Sequence, residues 1–240
     1  MAFVALVIMA AYLIRGLSGF GSGLIAVPVL AMAYPLTVVV PVVLTLDFAA
    51  SFVLGGAAWK EADWSEIKRL VPFGAVGALL GVFALLRLPP APVLLALAVF
   101  VIFFGSRNAL GIKPQGAIST AWAVPAGLVG SGAGALFGTS APPYIIYLTH
   151  RLTNKTAVRA TFSCLFVIDG GFRIALLAGA GLFLKPEVQN ALLWGMPPMV
   201  LGLYIGNRIH VRISNETLLK LIGVVLVING FTLIAKVLLK

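Results

Sequence analysis

Charged side chains are scarce in this chain of 240 residues. Only 10% of the residues are Asp, Glu, Lys or Arg, whereas 61% are hydrophobic. A soluble domain carries about 25% charged residues, which keep its surface solvated. So few charges could not cover a soluble globule of this size, and the composition excludes a soluble protein. Long apolar runs separated by turn signals indicate instead a helical protein whose partner is the lipid bilayer.

Residues that carry covalent or metal chemistry are also few. Cys164 is the only cysteine, which excludes an intrachain disulfide. His150 and His210 stand alone at segment ends, without a second ligand at a metal-binding spacing. The sequence contains no recognisable pairing of a nucleophile with a base. We therefore expect neither an enzyme nor a bound metal or cofactor.

The net charge of +10 is distributed between the apolar runs. No basic stripe is interleaved with aromatic residues, so nucleic acid is not an expected partner. Basic residues between membrane segments stay on the cytoplasmic side and thereby orient those segments. We interpret the lysines and arginines as determinants of topology.

Eight main apolar segments follow one another along the chain. Their approximate bounds are 2–34, 36–58, 69–87, 92–110, 117–148, 160–183, 188–208 and 217–238. The first and the fifth are too long for one crossing of about 20 residues and too short for two. Each of these two contains a run of glycines, and counting their parts separately gives up to ten helices. The pattern predicts an all-α polytopic membrane protein.

The glycines also indicate an internal duplication. At a constant offset of 111, Gly16, Gly19, Gly21 and Gly23 match Gly127, Gly130, Gly132 and Gly134. At an offset of 125, Pro72, Gly77, Gly81 and Gly105 match Pro197, Gly202, Gly206 and Gly230. We predict two transmembrane repeats of about four segments each, residues 1–115 and 116–240.

Loop charge predicts that the two repeats are inverted. Wherever a loop of one repeat is rich in Lys and Arg, its counterpart in the other is poor. Eight simple crossings would divide the basic residues almost equally between the two faces. If the first and fifth segments return to the face from which they enter, most basic residues fall on one face, as the positive-inside rule requires. We therefore predict inverted repeats whose first segments are broken or re-entrant, with both termini outside.

The glycine clusters have two interpretations. Each glycine costs about 1 kcal/mol in a helix relative to alanine, so four within eight residues favour a break. The prolines that follow, Pro28 and Pro142, reinforce it. A helix broken inside the membrane exposes backbone N–H groups and a positive dipole end, which attract anions. The alternative is close helix packing, because Gly19 and Gly23 are four residues apart, as are Gly130 and Gly134.

We expect the two clusters to meet near the centre and to bind a small anion through backbone N–H groups, hydroxyls and arginines. The expected binding residues are Arg15, Ser18, Gly19, Phe20, Gly21, Ser22, Gly23, Gly130, Ser131, Gly132, Gly134, Thr139, Ser140 and Arg173.

Four charges fall within apolar segments and are functional candidates by default. Asp47 and Asp169 are candidates for gating or proton coupling. Asp169 and Arg173 are four residues apart, a spacing that also allows a purely structural ion pair. Asp47 has no local partner and could pair with a distant arginine. Arg15 could pair in the same way or extend to the membrane interface.

The sequence resembles the sulfite exporter TauE/SafE family in three features. These are the Gly-x-x-Gly-x-Gly-x-Gly run of each half, the "GLIAVP" that follows the first run, and the late "GVVLVINGFTLI" segment. The resemblance extends over essentially the whole chain. It implies a prokaryotic inner-membrane permease that exports small sulfur-containing anions such as sulfite, sulfoacetate or other organosulfonates. The second half departs from the first at Thr139, which aligns with Pro28, so its kink is expected about three residues later.

Two alternatives to a secondary transporter of this kind stay open. One is an anion channel with the same central site, and the other is a transporter of a different small anion. Neither the coupling ion, for which protons are a candidate, nor the oligomeric state follows from the sequence.

Overall fold

The computed structural model describes residues 2–55, 59–112, 116–208 and 215–239, and these are almost wholly helical with no strand. His210 and part of the loop charge lie outside the described residues. The α-helices in the described part are α1 Ala2–Ser18, α2 Ser22–Leu30, α3 Leu36–Gly55, α4 Trp64–Arg87, α5 Pro90–Ala109, α6 Ala123–Phe137, α7 Ala141–Arg151, α8 Lys155–Gly179, α9 Pro186–Arg208 and α10 Asn215–Leu238. Short 3₁₀ turns lie at Trp59–Glu61, Thr120–Trp122 and Leu182–Leu184.

Five of the described helices are long and apolar enough to cross a membrane. They are Trp64–Arg87, Pro90–Ala109, Thr120–Phe137, Thr156–Gly179 and Lys220–Leu238. Large apolar side chains such as Phe83, Phe103 and Trp194 are more than half exposed on the outside of the bundle. Such apolar exposure is stable only against lipid or another apolar surface. The prediction of an all-helical, multi-pass integral membrane protein is confirmed.

Helix α4 begins where a polar residue can cap it. The Asp63 carboxylate accepts hydrogen bonds from the Ser65 hydroxyl at 2.6 Å and from the backbone N–H groups of Ser65 and Glu66 at 2.9 and 3.2 Å. The bond from the Ser65 hydroxyl contributes most to lowering the pKa of Asp63. The cap satisfies N–H groups that have no partner in the first turn of a helix.

The first segment breaks inside its glycine cluster. Helix α1 ends at Ser18 and α2 begins at Ser22. Between them Gly19 and Gly21 have φ values of +86° and +96°, which are strained for any residue with a Cβ. This break lies where the sequence predicts it.

The second break was predicted in the wrong place. Helix α6 continues without interruption through Gly127–Gly134, and the chain breaks only at Gly138, whose φ is +67°. The helical cost of these glycines is offset by packing, because they let α6 approach α4 at backbone distance. A Cβ on Gly127 would lie 2.9 Å from the carbonyl oxygen of Leu70.

Glycines of α4 and α9 produce the same close approach. A Cβ on Gly77 would collide with the backbone carbonyl of Leu128 in α6, and one on Gly202 would collide with that of Met9 in α1. The dominant interhelical packing is α4 on α6, α5 on α10 and α1 on α9. For these positions the close-packing interpretation of the glycines applies.

Each broken segment folds back as a helical hairpin. Helix α1 runs alongside α3 in the same direction, because Tyr12 contacts Val43 and Arg15 contacts Ser51. Helix α2 returns in the opposite direction and is followed by the short turn into α3. Helices α6 and α7 form the second hairpin, in which Gly130 faces the ring of Tyr144.

Candidate functional site

The first hairpin holds a buried cluster around Asp47 of α3. Arg15 of α1 forms an ion pair with Asp47, with Nη1 2.7 Å from Oδ1, and its Nη2 donates to the Ser51 hydroxyl at 2.7 Å. The hydroxyls of Tyr12 and Ser22 both donate to Asp47 Oδ1, at 2.6 and 2.5 Å. All five side chains are at least nine-tenths buried. The structure therefore gives Asp47 the distant arginine that the sequence left open, and Arg15 does not extend to the interface.

The second hairpin holds a similar cluster around Asp169 of α8. Arg173 pairs with this carboxylate, with Nη2 3.0 Å from Oδ2. The Ser131 hydroxyl of α6 donates to Asp169 Oδ1, and Arg173 Nη2 donates to the Ser140 hydroxyl at 3.3 Å. Arg173 is fully buried. The i, i+4 pair expected from the sequence is present, and it lies against the second break.

Phe166 of α8 joins the two clusters. The guanidinium carbon of Arg15 lies 5.6 Å from the centroid of this ring, and that of Arg173 lies 5.2 Å from it. Cations at this distance are attracted to the electron-rich face of an aromatic ring. The two buried arginines are thereby held close together around one side chain.

Both arginines retain hydrogen-bonding capacity. Within the described residues, Arg15 Nε and Arg173 Nη1 are buried without a hydrogen-bond partner. A buried N–H group without a partner is rare in native structures, because it has lost its hydration without compensation. These two donors are the features of the core that best fit an anionic ligand.

The two breaks meet in the interior. A Cβ on Gly23, in the first turn of α2, would lie 2.6 Å from the carbonyl oxygen of Gly138 and 3.4 Å from Thr139 Cβ. The starts of α2 and α7 are therefore neighbours, as expected from the sequence, although the second break lies at Gly138–Ser140 rather than at Gly130–Gly134.

Several other residues that the sequence predicts at the site lie outside the two arginine–aspartate clusters. The Ser18 hydroxyl donates to the carbonyls of Ile14 and Phe20 at 2.8 and 2.6 Å, so it stabilises the turn after α1. Thr139 is buried beside Gly23. Gly132 packs on Gly77 of α4, where a Cβ would lie 3.3 Å from the carbonyl oxygen.

Two further residues of the set shape the core around larger side chains. Gly134 leaves room for the Arg173 guanidinium, whose Nη1 a Cβ at this position would overlap. Phe20 packs edge-on against Phe162 of α8, with ring centroids 6.4 Å apart.

Four residues that matter were not selected from the sequence. Tyr12 and Ser51 complete the first cluster, Phe166 lies between the arginines, and the Tyr144 hydroxyl lies beside Asp169 Oδ1 against Gly74. Spacing alone contained a signal for two of them. Tyr12 precedes Arg15 by three residues and Ser51 follows Asp47 by four, so each pair shares a helix face.

Metal-binding chemistry has little support in this core. Among the described ranges, no group of three His, Cys, Asp or Glu side chains could hold a metal ion. Asp47 and Asp169 belong to separate clusters, and each pairs with its own arginine.

Comparison with known proteins gives a consistent result. No solved structure matches the chain. The chain is similar to the probable inner membrane transporter protein TsaS of Comamonas testosteroni, with 28% identity over 193 residues, which cover 80% of each chain. The model of the sulfite exporter TauE/SafE family matches residues 4–233, nearly the whole sequence. The chain belongs to the sulfite exporter TauE/SafE family of membrane transporters.

Proposed function

We propose that the protein is a secondary transporter that moves a small sulfur-containing oxyanion, such as sulfite, sulfoacetate or another organosulfonate, out of the cell. The observation that carries this proposal is the pair of buried arginines around Phe166, each with an N–H group that has no partner among the described residues. Hydrogen bonds from a guanidinium to an oxyanion are among the strongest in proteins. The family description supports this substrate class, and the inner-membrane transporter relative supports transport across that membrane.

Export agrees with the electrical gradient across a bacterial membrane. An interior-negative potential is worth about 2.3 kcal/mol per charge for each 100 mV, and it drives anions outward. Sulfite and sulfonates are anions, so their export as free ions needs no pump.

The carboxylates provide a route to proton coupling. Each guanidinium is already balanced by one aspartate, so an added anion leaves excess negative charge in a buried region. Protonation of Asp47 or Asp169 removes that excess. We infer that binding of the anion and binding of a proton favour each other at this site, and that the proton does not accompany the exported anion, because the inward proton gradient would drive such a pair into the cell.

We further propose that the chain consists of two inverted repeats, 1–115 and 116–240, with re-entrant hairpins α1–α2 and α6–α7. The reciprocal packing of α1 on α9 and of α6 on α4 supports this arrangement. The corresponding register is 119 residues: α1 ends at Ser18 and α6 at Phe137, and α2 and α7 begin at 22 and 141. An offset of 111 between the glycine runs is therefore not the structural one.

In the same register, the two clusters differ in the helix that supplies the arginine. Position 15 of α1 is an arginine, and its counterpart at 134 in α6 is a glycine. Arg173 of α8 places its guanidinium in the space that this glycine leaves. Each repeat therefore has one buried arginine beside one aspartate, although the arginine comes from a different helix.

Alternating access is favoured over a channel by the packing at the second break. Gly138 contacts Val27, and Val27 and Val40 beside it are fully buried. A channel needs a continuous opening past both breaks, whereas a transporter needs to be closed on one side at a time.

Flux measurement in liposomes tests the proposal. We expect the purified protein to transport radiolabelled sulfite. Two charge-balanced double variants, Arg15→Gln with Asp47→Asn and Arg173→Gln with Asp169→Asn, should each transport it at least tenfold more slowly. Removing both partners avoids an unpaired buried charge, which alone could unfold the protein. Arg107→Gln, a change on the outer helix α5, is the matched control and should transport normally.

Two results would contradict the function. One is the absence of both sulfite and sulfonate flux in the wild-type protein. The other is wild-type flux in both charge-balanced pairs, which would show that the buried arginines do not handle the anion.

A further inference from the structure

We propose that Arg159 recruits the substrate anion, which then passes the Phe20–Phe162 pair to reach the two buried arginines. This inference rests on the proposed transport function and assigns a role to a residue outside the two central clusters. Arg159 lies in the second turn of α8 and is exposed. None of the acidic side chains described in the structure pairs with it, so its charge is available to a solute.

The guanidinium of Arg159 lies over the first helix break. A Cβ on Gly19 would be 2.8 Å from its Nη2 and 3.0 Å from its Nε. Gly19 is half-buried, and it has the positive φ of the turn between α1 and α2. An exposed positive charge therefore stands directly at the turn that leads into the first cluster.

A row of aromatic rings connects this position with the core. Phe20 packs on Phe162, and Phe162 packs on Phe166 with centroids 6.0 Å apart. Residues 159, 162, 166 and 173 are three, four and seven apart, so they follow one face of α8. That face begins at the exposed arginine and ends at the buried Arg173, and the guanidinium of Arg15 also lies over the Phe166 ring.

The two breaks differ in a way that indicates direction. Gly138, Thr139 and Ser140 at the second break are all buried, and the valine pair Val27 and Val40 covers Gly138. At the first break Gly19 and Phe20 are half-exposed and the covering residue is charged. An anion thus meets a positive, accessible side at Arg159 and a closed, apolar side at Val40.

The Phe20–Phe162 contact lies between Arg159 and the buried arginines on the proposed route. Phe162 is buried whereas Phe20 is half-buried on the turn after α1, so Phe20 is the ring that can move. Its rotation would connect Arg159 with Ser22 and Arg15 without disturbing α8. The edges of aromatic rings are electropositive and tolerate a passing anion.

Initial rates of sulfite transport test this role. In vesicles of defined orientation, Arg159→Gln should lower kcat/KM about tenfold for sulfite supplied on the Arg159 side. The rate at saturating sulfite should stay within about twofold, and flux from the opposite side should not change. Arg159→Lys should restore most of the loss, and the defect should shrink at high salt, because exposed charges are screened.

Lys68→Gln is the matched control, because it removes an exposed positive charge near the same end of the bundle. Equilibrium binding of sulfite, measured by thermal shift, should be unchanged in Arg159→Gln, since the buried arginines hold the bound anion. If Arg159→Gln behaves like Lys68→Gln while the wild-type protein transports sulfite, the recruiting role is wrong and the transport function stands. Without sulfite flux in the wild-type protein, the proposed function and this inference both fail.

Discussion

At the scale of single residues, the core of this protein is a charge-balanced pair of arginine–aspartate contacts around one phenylalanine. Asp47 and Asp169 are the ion-pair partners that balance the charges of Arg15 and Arg173 in the core. Breaking one such pair by removing a single partner costs several kcal/mol, because the remaining charge is buried. In the proposed function, a transported anion would be a temporary partner of the same kind, and the aspartates would balance the charge that it adds.

The charge balance predicts that removing one partner of a buried pair destabilises the protein more than removing both. Asp47→Asn should lower the free energy of unfolding by about 3–5 kcal/mol, because it leaves the buried guanidinium of Arg15 without its counter-charge. The charge-balanced change of Arg15→Gln with Asp47→Asn should cost less than this single change. Denaturation in detergent measures the difference.

Glu61→Gln is the control for that series, because Glu61 is exposed and outside both clusters. It should leave the free energy of unfolding unchanged. A single change Asp47→Asn that is no more destabilising than the charge-balanced pair would contradict the cost of the unpaired guanidinium.

At the scale of helices, glycine has two distinct structural roles. Gly19, Gly21 and Gly138 have positive φ and lie at the two helix breaks, whereas Gly77 and Gly202 are helical and let neighbouring backbones touch. The sequence pattern alone does not separate these uses, because both place glycines in an apolar run. The second break was misplaced for this reason: the helical propensity of residues 127–134 is poor, but contact with α4 outweighs it.

The role of glycine in helix packing predicts that a single added methyl group lowers the stability of the protein. Gly77→Ala should destabilise the protein by about 1–3 kcal/mol, because the new Cβ would overlap the Leu128 carbonyl. Gly179→Ala is the matched control, since Gly179 ends α8 with no heavy atom within 4 Å of the added Cβ. It should be neutral or stabilise by up to about 1 kcal/mol. Denaturation in detergent compares the two, and equal stabilities would show that α4 and α6 do not depend on this contact.

At the scale of the whole molecule, the proposed topology assigns a face of the membrane to each end of the bundle. Two re-entrant hairpins would leave an even number of crossings, so both termini would lie on one face. Most basic loop residues of the sequence would then collect on the opposite face, together with Arg159. In this proposed orientation the accessible side at Arg159 would be the cytoplasmic one, as the proposed export requires.

Cysteine labelling tests the topology. In a Cys164→Ala background, a cysteine added at either terminus should react with a membrane-impermeant maleimide in intact cells. Cys164 is buried, so its replacement should preserve the fold. Lys60→Cys, in the exposed turn before α4, should react only after the cells are permeabilised. Protected termini in intact cells would contradict the predicted orientation.

The sequence by itself determined the class of protein and several members of the site. Scarce charge and long apolar runs require a bilayer, and the four intramembrane charges were visible as candidates because burying them is costly. The Asp169–Arg173 pair was predictable because four residues make one helical turn. The first break was predicted because four glycines within eight residues disfavour a helix, although the same argument misplaced the second break.

Only the tertiary structure decided which distant groups meet. The pairing of Arg15 with Asp47, the place of Phe166 between two arginines and the approach of Arg159 to Gly19 join different helices. Helix periodicity reports contacts within one helix, so it carries no information about such partners. The position of the second break belongs to the same category, because it depends on the free energy of packing α6 against α4 and not on local propensity.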